Sequence, residues 1–111
     1  CSGTPITAPL ETQNVQVAAN KATYTWNPAV FAQRYDVVRG AVSALPVGPG
    51  SGDEICFDNL PNPTLNDPQI PGSGAAFFYL SRGENACGNG TYGFQGFHGA
   101  PGAQRVTTTC P

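Results

Sequence analysis

Glycine and proline interrupt this chain so often that no stretch keeps a helical apolar period over a window of ~11 residues. There are 14 Gly and 11 Pro in 111 residues. Proline removes a backbone donor and clashes with the preceding helical turn, while glycine gives up the most entropy when ordered, so both favour turns over helix interiors. The runs left between them are short and alternate apolar with polar, which is the period of a strand with one face buried.

NVQVA (14–18) and ATYTW (22–26) alternate in this way and read as an antiparallel pair turned at Asn20 and Lys21. RYDVVRG (34–40) is a third strand, with Tyr35 and Val37 on one face and Asp36 and Val38 on the other. AVSALPVG has room for a short strand, ICF (55–57) is apolar around Cys56, and another short strand fits near Thr64 and Leu65. AAFFYLSRG (75–83) is the strongest strand signal, and ENACGNG (84–90) is a tight turn carrying Cys87. TYGFQGFHG (91–99) alternates at Tyr92, Phe94 and Phe97; APG then breaks the pattern, and QRVTTT (104–109) is a last β-branched strand. About seven or eight short antiparallel strands separated by turn signals predict an all-β sandwich. Val15, Val17, Tyr24, Trp26, Tyr35, Val37, Phe77 and Tyr79 are its expected inward positions. Residues 1–10 hold two prolines and no charge and are expected to form a free, extended N-terminal arm; residues 11–111 form a single domain with a C-terminal tail strand.

Charged residues are only 11% of the chain, against ~25% in an ordinary soluble domain. The net charge is −2 and the five Lys and Arg are scattered, which argues against nucleic acid as a partner. No run approaches the ~18 apolar residues of a membrane span. Cys1, Cys56, Cys87 and Cys110 are an even set without a C-x-x-C pair, so two disulfides in an oxidising compartment account for them better than zinc or redox chemistry. A secreted protein, extracellular or at the cell surface, is the expectation.

Catalytic groups are hard to assemble. His98 is the one histidine and sits between glycines, so a nucleophile–base–acid triad has little to be built from. Asp53, Glu54 and Asp58 lack the spacing of a calcium loop and read as a solvated acidic loop. The acids are too dispersed for a glycosidase pair, and no helix follows the glycine runs to make a phosphate cradle. The chain is therefore expected to carry no cofactor, no metal and no enzymatic activity. Asn89-Gly90-Thr91 has the form of a glycosylation sequon. Phe31, Phe57, Phe94 and Phe97 are the candidate ligand or partner contacts, because exposed aromatics stack on sugars or anchor proteins.

Three segments together resemble a fibronectin type III domain: Pro9 through NVQVAANKATYTW, with a Trp ending the second strand; RYDVVRG, with its inward Tyr35; and DPQIPGSGAAFFYLSRGENACGNGTYG, with Asn85, Ala86 and Gly88 in the turn after the sixth strand. The resemblance spans roughly residues 9 to 97. It extends to cysteine-bearing variants at the C-terminal ends of bacterial secreted proteins. Phe77 stands where the family usually places a Tyr whose hydroxyl caps the preceding corner. An immunoglobulin-like, fibronectin type III-like sandwich is what the resemblance implies. On that topology Cys87–Cys110 with Cys1–Cys56 is favoured, Cys56–Cys87 is the rival, and four cysteines leave three connectivities open.

The expected function is a non-catalytic structural or adhesion module. It could be the repeating subunit of a surface filament whose arm adds as a strand to a neighbour, with protein as partner. Two alternatives stand beside it: a carbohydrate-binding accessory module, and a lipid-anchored surface protein modified at Cys1.

Overall fold

A computed structural model describes residues 7–47, 53–97 and 100–111; the side chains of residues 96, 97, 100 and 101 are outside the description. Nine strands are described: β1 (Gln13–Val17), β2 (Thr23–Asn27), β3 (Arg34–Ala41), β4 (Ile55–Leu60), β5 (Thr64–Asn66), β6 (Phe77–Asn85), β7 (Gly88–Asn89), β8 (Phe94–Phe97) and β9 (Ala100–Gln104). The protein is all-β with antiparallel pairing throughout these strands. They form a three-stranded sheet β1-β2-β5, a four-stranded sheet β4-β3-β6-β7 and a separate β8-β9 pair. Of AVSALPVG, Ala41 ends β3 and residues 42–47 hold no strand, Val42–Ala44 making one 3-10 turn.

The central pair is β3 with β6, in unbroken register from Arg34↔Glu84 to Ala41↔Phe77. Alternation along β3 then decides which side chains meet what. Tyr35 and Val37 face the three-stranded sheet and join Trp26 and Leu65 in one buried cluster, edged by Tyr24, Phe57, Leu60 and Tyr79. Trp26 lies edge-on to Tyr35, with centroids 5.6 Å apart, a favoured geometry for an aromatic pair. Val38 faces the other way and joins Tyr92 and Cys110, with Phe78 and Leu80 beside them. So both faces of the four-stranded sheet are covered, one by β2 and β5 and the other by the C-terminal tail.

That tail corrects the expected strand at 104–109. β9 runs from Ala100 to Gln104, through the APG that was expected to break the pattern, and residues 105–111 hold no strand. They lie instead on the outer face of β3, β4 and β6, where they are pinned at three points. Cys110 is bonded to Cys56, the Thr107 hydroxyl donates to Glu54, and the Arg82 guanidinium donates to the Pro111 carbonyl. The Cys56–Cys110 bond overturns both the favoured pairing (Cys87–Cys110 with Cys1–Cys56) and the rival (Cys56–Cys87). The reason is the path of the tail, which crosses the sheet towards β4 rather than returning beside β7. Cys87 is also disulfide-bonded; Cys1 lies outside the described residues.

Two further expectations change. Val15 and Val17 are not inward: they are 42% and 54% exposed. Asn14 adopts φ 65° and the β1–β2 register shifts between Gln13 and Gln16, so a bulge turns the edge strand away from the core. Residues 7–10 are not a free arm either. Asn85 Nδ2 donates to the Thr7 carbonyl at 2.9 Å, Pro9 is buried against Gly83, and Leu10 N–H donates to Val30 O at 3.1 Å. Residues 1–6 of the expected arm lie outside the described residues.

Candidate functional site

Tyr24 of β2, in the three-stranded sheet, meets Tyr79 of β6, in the four-stranded sheet, and Phe77 lies beside Tyr79. Tyr24 and Tyr79 stack with centroids 4.0 Å apart, and Phe77 stands edge-on to Tyr79 at 6.4 Å. These rings line an open cleft of about 590 Å³, a volume within the ~300–1,000 Å³ of ordinary ligand sites. Its other wall is the loop before β6, with Pro68, Gln69, Ile70 and Pro71, and the β1–β2 turn supplies Asn20 and Lys21. Ile70 is 80% exposed at the mouth.

Local sequence explains the rigidity of both walls. Asn20 Oδ1 accepts from Ala22 N–H at 2.9 Å and Thr23 N–H at 3.0 Å, and its Nδ2 donates to Thr23 Oγ1. This side-chain-stabilised turn holds Lys21 at φ 59° with its ammonium in solvent. On the opposite side, Pro68 and Pro71 restrict the loop backbone, and Asp67 Oδ1 accepts from Gln69 N–H at 3.2 Å.

Behind the aromatic wall is a buried charge network. Asp67 Oδ2 accepts from Arg39 Nη1 at 2.8 Å and from the Tyr79 hydroxyl at 2.7 Å. The Arg39 guanidinium lies 4.5 Å from the Phe77 ring centroid and 5.8 Å from that of Phe57. Burial alone would raise the Asp67 carboxyl, but the hydrogen bonds from Arg39, Tyr79 and Gln69 N–H, with the Arg39 charge, outweigh it and hold the group below its ordinary value. The Tyr79 phenol moves up, through burial first and then the neighbouring Tyr24 and Asp67. Asp67 and Tyr79 are thus each moved further from neutral pH, in opposite directions, so the pair positions side chains and is ill suited to proton transfer.

The four candidate phenylalanines fall in different places. Phe31 is exposed in the β2–β3 loop at φ 71°, an unusual conformation for an aromatic, and Asn85 Nδ2 fixes its carbonyl at 3.0 Å. Phe57 is half-buried against the core and Arg39. Phe94 is exposed on β8. The side chain of Phe97 lies outside the described residues, as does His98. The cleft is formed by other aromatics, Tyr24, Phe77 and Tyr79, which the alternation had placed inward. Alternation assigns a face; it does not show whether a ring on that face also borders a cleft.

The acidic loop is not brought together. Asp53 Oδ2 accepts from Ala41 N–H and Glu54 is bonded to Thr107, whereas Asp58 approaches Asp36 and Glu84. Within that second group, Asp36 is bonded to Arg82 through Nε and Nη2, and Glu84 to Arg34. The Asp36–Arg82 pair was accessible from sequence, since antiparallel pairing of RYDVVRG with FFYLSRG sets the two opposite each other. Nothing in the sequence pointed from Arg39 to Asp67. No helix among the described residues is long and apolar enough to cross a membrane. Neither a known family model, a curated protein nor a solved structure matches this chain.

Proposed function

We propose that the chain is a non-catalytic extracellular adhesion module of the fibronectin type III-like sandwich type, and that the Tyr24–Phe77–Tyr79 cleft is its binding surface. One observation carries the reading. An apolar concavity of about 590 Å³ opens onto aromatic rings backed by an arginine and an aspartate locked against one another, which suits holding a ligand rather than transforming it.

The strand order supports the sandwich: strands 1, 2 and 5 separate from strands 3, 4, 6 and 7, and the buried cluster draws on both groups. So does Tyr79, whose hydroxyl reaches back to Asp67 in the loop before β6 and does the corner-tying work that Phe77 cannot. The disulfide and the low charge support an oxidising, extracellular setting. Filament assembly by strand addition has less support. The β1 edge is bulged, which blunts further pairing, and residues 7–10 are fastened to their own domain.

Retention on immobilised panels of polysaccharides and cell-surface proteins tests the reading. Retention that Ile70→Asp abolishes is the expected result. No retention on any surface, or retention indifferent to Ile70→Asp, would overturn it.

A further inference from the structure

We infer that the cleft takes an acidic polysaccharide, its sugar rings packed against the aromatic wall of Tyr24, Phe77 and Tyr79 and a carboxylate paired with Lys21. This rests on the adhesion reading above and names its ligand.

The argument is one of shape and charge together. The cleft is open to solvent rather than enclosed, so one stretch of a longer chain can enter it from the side. Its walls combine flat aromatic and proline surface with the amides of Asn20 and Gln69, and sugar rings offer both apolar faces and hydroxyl edges to such a surface. No Asp or Glu lines it, and the nearest carboxylate, Asp67, is neutralised by Arg39. The charge that remains is Lys21, the one lysine of the chain. It has no ion pair among the described residues, and the Asn20 turn holds its backbone at the rim.

A protein of net charge −2 would repel an acidic polymer at long range. Exposed charges more than ~8–10 Å apart are largely screened at physiological salt, however, so the local positive rim decides the encounter. The Asp36, Asp58 and Glu84 group carries two arginine partners of its own, which reduces its reach further. A neutral glycan would satisfy the rings and leave Lys21 unused. A proline-rich peptide would meet the rings too, but gives the lysine no partner.

Affinity electrophoresis and calorimetry with polygalacturonate, alginate and a neutral β-glucan test the inference. Acidic polymers are expected to bind, with affinity falling as salt rises. Lys21→Gln should weaken binding about 2–5-fold, as for an exposed charge pair, and Lys21→Glu should abolish it. Tyr24→Leu should weaken it about 10-fold or more, as for a buried hot-spot contact. Lys21 is solvent-exposed, so its variants keep the fold even if Tyr24→Leu does not. Equal binding of the neutral glucan with no effect of Lys21→Glu would overturn the acidic ligand and leave the adhesive cleft standing. Retention only on proteins would do the same. No retention on any surface would remove both.

Discussion

Cys110 is bonded to Cys56 across 54 residues of sequence, with their Cα atoms 5.0 Å apart. The bond fixes the C-terminal tail over the outer face of β3 and β6, where Val38 is wholly buried and Tyr92 nearly so. The tail therefore acts as a second cover for the sheet, on the side opposite Trp26.

Removing both sulfurs, as Cys56→Ser with Cys110→Ser, is expected to lower stability by about 4 kcal/mol, the chain-entropy value for a loop of that length. Urea unfolding of the pair against the parent measures it. In hydrogen exchange the amide of Thr109, which donates to the Thr107 hydroxyl, should lose protection before those of β3 and β6. A tail that stays protected at unchanged stability would mean that packing alone holds it.

Gly83 lies where the N-terminal segment crosses β6. A Cβ there would sit 2.7 Å from Ala32 Cβ and 3.0 Å from Pro9 Cβ, closer than carbon atoms approach. Gly83→Ala is expected to cost about 1–3 kcal/mol, as overpacking does. It should also expose the Leu10 amide, which donates to Val30 O. If Leu10 exchange is unchanged, the segment is held by Asn85 and Thr12 without help from Pro9.

Much of the strand framework is legible in the sequence because alternation and burial agree there. RYDVVRG becomes β3 and FFYLSRG most of β6, since each has one face in each of two cores and both faces are apolar or paired. The pattern misleads where a local feature outranks it. Val15 and Val17 alternate correctly, yet the Asn14 bulge and the edge position leave them in solvent. QRVTTT is rich in β-branched residues, yet three attachments to the sheet face hold its last residues outside any strand. The cleft is the hardest part to foresee. It is lined by rings from two sheets and by the loop before β6, and the ion pair behind that wall joins residues 39 and 67, which no short-range pattern connects.

Tyr79 and Tyr92 should both resist ionisation. Burial is the main cause for each; the charge of Arg82 opposes it at Tyr92, and Asp36, Asp58 and Glu84 add to it. Their stabilising contribution is complete below the ordinary phenol value of 10.0 and declines as pH rises above it, because the unfolded chain releases those protons first. In an ultraviolet titration, Tyr92→Phe should leave the phenolate amplitude of the folded protein unchanged and reduce only the step that accompanies alkaline unfolding. An amplitude lost at lower pH would show the Tyr92 hydroxyl open to solvent.

Asp67 separates a structural ion pair from a dispensable one. Its carboxylate faces Arg39 and Tyr79 in a site nearly closed to water. Asp67→Asn keeps the shape and an acceptor for Tyr79, but leaves Arg39 charged, buried and unpaired. The expected loss at neutral pH is about 3–5 kcal/mol, as when one partner of a buried pair is removed. Replacing both partners with apolar residues, as Arg39→Met with Asp67→Leu, should restore most of it, since the desolvation of two charges disappears with the pair. The pH dependence has a definite sign. The folded carboxyl lies below its ordinary 3.8, so its contribution is complete above that value and is lost as pH falls through the lower, folded one. The difference in unfolding free energy between parent and Asp67→Asn should then be constant from neutral pH down to about 4 and shrink below it. A difference that stays flat through acid would mean that Asp67 acts through shape alone, and a double variant no better than the single one would mean the same for Arg39.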